Sequence, residues 1–155
     1  MLSPVTIVAF GKVKEAHYVA AVSEYLKRLK PYAKVEVVEL KAESFAEDNH
    51  QKTKRVEAER LREYLSGRKQ TAVMLLDERG KEYTSSELSE YWQKMDQELV
   101  LVIGGSLGFA PEILTEHKNH LALSRLTLPH ELVRVVLAEQ LYRAVTIAIG
   151  KTYHY

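Results

Sequence analysis

A chain of 155 residues, 46% hydrophobic and 28% charged, has the size and balance of one folded domain and not of a disordered segment. It contains no cysteine, which excludes disulfides, thiolate metal sites and thiol nucleophiles. The formal net charge is only +1, so bulk charge does not announce a nucleic-acid partner.

The predicted elements alternate between strands and helices. Val5–Phe10 is a first strand, closed by Gly11. Glu15–Leu29 has helical apolar spacing and stops before Pro31. Val35–Leu40 is a second strand, and Asn49–Leu65 a charged helix with a sparse apolar stripe, ended by Gly67. Thr71–Leu76 is a third strand that ends at Asp77. Ser85–Met95 is a helix with Thr84 or Ser85 as cap and Glu87 in its first turn. Glu98–Ile103 is a fourth strand, running into Gly104 and Gly105. Pro111–His117 is a short helix, His120–Leu123 a short strand, and Pro129–Ile147 the last helix.

The runs 71–76 and 98–103 are apolar after their first residues and lack in–out alternation, as strands covered on both faces do. The expected fold class is therefore α/β: a parallel sheet with flanking helices, formed by residues 1–155 as a single domain. No basic stretch followed by an apolar run opens the sequence, and no apolar run approaches the roughly 20 residues of a membrane span. A cytoplasmic protein without a membrane partner is expected. Residues 12–34 are rich in lysine and arginine, while 36–48 are rich in acid, including Glu47 and Asp48. Such clusters are ordinary for solvated helix faces and loop ends.

Ligands of an open parallel sheet bind beyond the carboxyl ends of its strands. Three segments lie there: 76–80, 104–109 and 124–129. The second is glycine-rich but is neither G-x-G-x-x-G nor a Walker loop. Its glycines either turn the chain or let a ligand approach the backbone. A bulky side chain at Gly105, such as arginine, is expected to fill the pocket. The third segment carries Leu126 and Leu128 between Ser124 and Pro129, following Leu121 and Leu123. It is apolar for an exposed loop, so burial is expected, against neighbouring protein or against a flat apolar ligand such as adenine.

The last helix has apolar residues on more than one face, which points to a homodimer. Glu139 and Arg143 stand four apart and can pair along it, and Arg134 can pair with Glu131. The tail, Lys151–Tyr155, places His154 between two tyrosines, and histidine can accept or donate a proton near neutral pH. The histidines show no metal-ligand spacing, so no metal is expected. No G-x-S-x-G motif supports hydrolysis.

The segment L-T-L-P-H-E-L-V-R-V-V-L-A-E-Q-L-Y-R-A at 126–144, followed by Tyr153-His154, closely resembles the ribosomal RNA large subunit methyltransferase H family of the SPOUT class. L-L-D-x-x-G at 75–80 and V-I-G-G-x-x-G at 102–108 extend the resemblance over the whole chain. It implies a C-terminal trefoil knot over about residues 100–155, with S-adenosylmethionine bent inside it. Leu76, Gly104, Gly105 and the stretch Ser124, Arg125, Leu126, Thr127, Leu128, Pro129 would hold the cofactor. The substrate would be 23S rRNA in the 70S ribosome, methylated at N3 of a pseudouridine in helix 69. The enzyme would be a homodimer, with the tail of one subunit completing the site of the other. His154 would be the base, Tyr153 a stacking partner, and Arg125, Arg134 and Arg143 anion contacts. Tyr155 stands where the family usually has a basic residue, and Ser106-Leu107 where many relatives have a proline and an acid.

Overall fold

The computed structural model describes residues 1–44 and 49–154; Glu47, Asp48 and Tyr155, singled out above, lie outside the described residues. Among the described residues, five strands and five helices alternate. They are β1 (Val5–Phe10), α1 (Ala16–Leu29), β2 (Val35–Leu40), α2 (His50–Ser66), β3 (Thr71–Glu82), α3 (Ser85–Gln93), β4 (Glu98–Ile103), α4 (Pro111–Glu116), β5 (His120–Ala122) and α5 (His130–Ala148). The sheet is parallel throughout, in the order β2-β1-β4-β3-β5.

Strand geometry sends alternate side chains to opposite faces. Val5, Ile7 and Ala9 of β1, with Leu99, Leu101 and Ile103 of β4, join Leu29, Leu88, Trp92, Leu137 and Leu141 in one core. Val8, Phe10, Val100 and Val102 join Ala58, Leu61 and Ile113 in the other. Helices α1, α3 and α5 thus cover one face, and α2 and α4 the other. This double cover is why β1 and β4 are apolar at nearly every position. Helix α5 packs on both α1 and α3. Among the described residues, no helix is long and apolar enough to cross a membrane.

Thr84 caps α3 as expected. Its hydroxyl accepts from Glu87 N at 3.1 Å, and Glu87 Oε2 accepts from Thr84 N at 2.7 Å. Removing that reciprocal pair with Thr84→Ala is expected to lower stability by about 1 kcal/mol. A urea unfolding midpoint equal to that of the parent would contradict this role for the cap.

Two expectations are corrected. The third strand does not stop at Leu76. After Leu75↔His120 and Leu76↔Leu121, it bulges and pairs again as Lys81↔Leu121 and Glu82↔Ala122. Lys81 and Glu82, placed beyond the strand by the sequence, pair with β5. Gly80 makes this possible, because a Cβ there would lie 2.7 Å from the His120 carbonyl carbon and oxygen. Nor does Arg134 pair with Glu131. Arg134 is 3% exposed and points inward. Its Nη1 donates to Glu39 Oε2 at 2.5 Å and its Nη2 to the Gly11 carbonyl at 2.5 Å. Glu131 instead accepts from Lys14 N at 2.9 Å. The arginine thereby joins α5 to the carboxyl ends of β1 and β2.

Candidate active site

The carboxyl ends of β3, β4 and β5 open onto a cleft of about 730 Å³, within the range that holds small ligands and cofactors. Leu76, Ile103, Leu121, Leu123 and Val133 give it an apolar lining. Asp77, Glu78, Arg79, Thr127 and His130 add polar groups. The glycine loop forms one wall. Gly108 N donates to the Gly105 carbonyl at 2.9 Å, closing a tight turn around Ser106 and Leu107. Gly108 has φ +78°, a left-handed conformation that glycine adopts without strain.

The opposite wall is residues 124–129. Ser124 Oγ accepts from Leu126 N at 3.0 Å, a local side-chain turn that shapes the loop. Thr127 donates its hydroxyl to Glu78 Oε2 at 2.6 Å and so ties this loop to the β3 bulge. Burial acts to raise the Asp77 carboxyl, but the Arg79 N–H, at 2.9 Å, and the Arg79 guanidinium prevail and hold it below its ordinary value. Asp77 therefore stays ionised and fixes the bulge beside the cleft. The expected burial of the loop is only partly realised. Leu121 is buried, but Leu126 is 75% exposed, because the segment rims an open cleft and does not run beneath other chain.

Of the residues expected to hold the cofactor, Leu76, Gly104, Gly105, Ser124, Leu126, Thr127, Leu128 and Pro129 line this one cleft. Arg125 is not in its lining; its side chain is 84% exposed and lies 3.5 Å from Glu82. Gly105 lines the cleft with its backbone. A Cβ built there would stand 2.4 Å from Glu57 Oε1, so a side chain would strike α2 first. Pro129 is the N-cap of α5 and not its first residue, and its carbonyl accepts from Val133 N at 3.0 Å.

The tail residues form a second, separate cluster. Arg143 gives Nε and Nη2 to Glu139 Oε1, at 2.9 and 2.5 Å, so its guanidinium is engaged along its own helix. That guanidinium also lies 4.9 Å from the centre of the Tyr153 ring. Tyr153 meets Tyr142 edge-on at 4.8 Å and donates to Glu139 Oε1 at 3.2 Å. Burial, with hydrogen bonds to Tyr25 and Glu139, pushes the Tyr153 phenol up to about 12. It remains neutral at physiological pH. His154 is exposed. None of Arg143, Tyr153 and His154 lines the cleft. At 1.5 Å per residue, Glu139 stands roughly 15 Å along the α5 axis from Pro129. Among the described residues, no group of three histidine, aspartate or glutamate side chains could hold a metal ion.

Lys54 and His130 also line the cleft and were not singled out from sequence. His130 follows Pro129 directly, and its place at the start of a helix beside the candidate loop was a usable signal. Lys54 comes from α2, far away in the chain, and nothing in its local sequence marks it.

Comparison with known proteins agrees with this architecture. The family described as "Predicted SPOUT methyltransferase" matches residues 4–154. The chain is 40% identical over 159 residues to the ribosomal RNA large subunit methyltransferase H of Pelotomaculum thermopropionicum, covering 97% of this chain and 98% of that one. It is 43% identical over 154 residues to the protein of that name from Anaeromyxobacter dehalogenans, with the same coverage. Among solved structures, it resembles a methyltransferase of Legionella pneumophila in complex with S-adenosylmethionine. There the TM-score is 0.55 at 12% identity, covering 94% of this chain and 66% of that one. An RNA methyltransferase of Bacillus anthracis gives a TM-score of 0.54 at 10% identity, covering 97% and 99%. The structural likenesses speak for the fold; the full-length sequence matches carry the assignment, and by them this chain belongs to the SPOUT methyltransferases and, within them, to the ribosomal RNA large subunit methyltransferase H family.

Proposed function

We propose that this protein is an S-adenosylmethionine-dependent methyltransferase of large-subunit ribosomal RNA, acting as a homodimer on N3 of a pseudouridine in helix 69 of the assembled ribosome. The observation that carries the reading is the cleft. Its size, its apolar lining and the backbone of 124–129 along one wall fit a flat base that needs apolar contact and hydrogen bonds to ring nitrogens. When bound, S-adenosylmethionine supplies a methyl group already activated on a sulfonium centre. The chain's own task is then to orient the reactants and manage one proton. Leu76, Leu121 and Leu123 would hold the adenine, with the backbone of Ser124–Pro129 around it. His154 accepts the proton from N3; the Tyr153 phenol, pushed up to about 12, already holds its own proton at neutral pH.

The separation of tail from cleft within one subunit supports the dimer. A second copy must bring its tail to the cleft for the two halves to meet. The surface of α5 agrees with this. Leu137, Leu141, Ala144 and Val145 face the core, while Leu132, Val135 and Val136 stay partly exposed. The knot belongs to the same proposal. Its support is the path after β4, through α4 to β5 outside β3, then back across the sheet as α5 to α1 and α3.

Incubation of the protein with methyl-labelled S-adenosylmethionine and undermodified 70S ribosomes is expected to label 23S rRNA, with 3-methylpseudouridine as the product nucleoside. Another methylated nucleoside would move the target. Intact cofactor binding without any transfer would replace the enzyme by a noncatalytic ribosome-binding dimer with a relic pocket.

A further inference from the structure

Glu57 lies on α2, outside the cleft lining, and nothing in the proposed chemistry uses it. It is only 6% exposed, a place where a carboxylate needs compensation. One oxygen has a partner: Oε2 accepts from Glu43 N at 3.1 Å. Glu43 is itself held, since its carboxylate takes Arg60 Nη2 at 2.8 Å while Arg60 Nη1 donates to the Lys41 carbonyl at 3.0 Å. The other oxygen faces the glycine loop. The 2.4 Å gap between Glu57 Oε1 and a Cβ at Gly105 means that the carboxylate rests against the glycine backbone. Gly105 does not have a positive φ. What keeps a side chain out of this position is Glu57, not a conformational demand. Gly105 also borders the cleft, so the thickness of one glycine separates the carboxylate from the ligand volume.

We propose that Glu57 is a positioning residue for cofactor binding: its buried carboxylate backs the Gly104–Gly108 loop and ties that loop to the β2–α2 connection through the Glu43 N–H. The proposal rests on the S-adenosylmethionine reading of the cleft. A buried group bridging two loops has two effects here. It sets how far the Gly105 backbone stands into the cleft, and it means that any side chain at 105 must displace the carboxylate. Burial pushes the Glu57 carboxyl up, while the Glu43 N–H and the nearby Arg60 cation pull it back.

Calorimetric titration of S-adenosylmethionine into the wild type, E57Q, E57A, G105A and E57A/G105A, with the melting temperature of each free protein, tests it. E57A is expected to weaken binding about ten-fold, while E57Q, which keeps an acceptor for the Glu43 N–H, stays within about three-fold of wild type. G105A is expected to weaken binding about ten-fold in the wild-type background and less than about two-fold in the E57A background, because the atom its Cβ meets is gone. E57D, one methylene shorter, runs the same cycle if E57A does not fold. An equal loss from G105A in both backgrounds overturns the proposal. So does wild-type affinity in E57A with only a lowered melting temperature, the mark of a purely structural residue. Failure of the wild type to bind S-adenosylmethionine overturns the cofactor reading and this proposal with it; binding without coupling overturns this proposal alone.

Discussion

His154→Ala is expected to slow methyl transfer about 100-fold or more while leaving S-adenosylmethionine affinity within about two-fold. The reason is the division of labour along α5. The cleft forms from Leu76, the glycine loop and residues 124–129 without any help from the tail. The tail is anchored elsewhere, by Tyr153 on Tyr142, Arg143 and Glu139. Loss of the imidazole is therefore expected to remove the proposed proton acceptor without touching the cleft lining. Single-turnover rates on ribosomes, set beside calorimetric affinities, separate the two; unchanged turnover removes His154 from the mechanism. A mixing experiment tests the second subunit. A variant with a destroyed cleft but an intact tail is combined with His154→Ala, which has the reverse defect. Random exchange into two-fold dimers then makes half the dimers hybrid, each with one complete site, so activity returns to about a quarter of wild type. If tail and cleft acted within one subunit, no mixture would recover any.

Glu39→Ala is expected to destabilise the fold by about 2–3 kcal/mol, more than Arg134→Met does. The two groups are partners, but their positions differ. Arg134 is buried, whereas the Glu39 side chain is 36% exposed. Removing the glutamate strands a buried cation: among the described residues, Arg134 Nε already lacks a partner and the Gly11 carbonyl is the acceptor that remains. Methionine in place of Arg134 removes the cation together with its desolvation and keeps most of the stem volume. Water near the exposed glutamate keeps the loss below the roughly 3–5 kcal/mol of a fully buried broken pair. Urea unfolding at neutral pH ranks the two variants. The opposite order would mean that packing of the arginine stem, not its charge, holds α5 to β1 and β2.

The strands and helices were legible because most of them carry their own signal. β1 and β4 are apolar runs of strand length, and α3 opens with its capping pair. Most of the cleft was legible for a related reason: it gathers the carboxyl ends of three neighbouring strands, whose places follow once the sheet is parallel. What escaped depends on distant partners. The second half of β3 is strand only because β5 lies beside it, and D-E-R-G-K-E has no strand pattern of its own. Glu57 looks like any charged residue of a charged helix until Gly105 is placed against it. The Arg134 partner, Glu39, is 95 residues away, so a neighbour on the same helix was the nearer choice. The tail was read as one half of a site, and its distance from the other half could not be read from its composition.

Helix α5 borders the cleft with its first turn and carries the tail cluster on its later ones. It therefore works as a spacer of fixed length and fixed pitch. An extra residue in a surface loop is absorbed locally, but one inserted between Val133 and Glu139 would advance everything beyond it by about 1.5 Å and turn it by about 100°. Leu137 and Leu141 would leave the core, and the cluster of Glu139, Tyr142, Arg143 and Tyr153 would turn as one body away from Tyr25 on α1. A whole added turn would restore the faces but shift the tail about 5.4 Å along the axis. The length of this helix, more than any single side chain on it, is the dimension that evolution or engineering cannot vary in small steps.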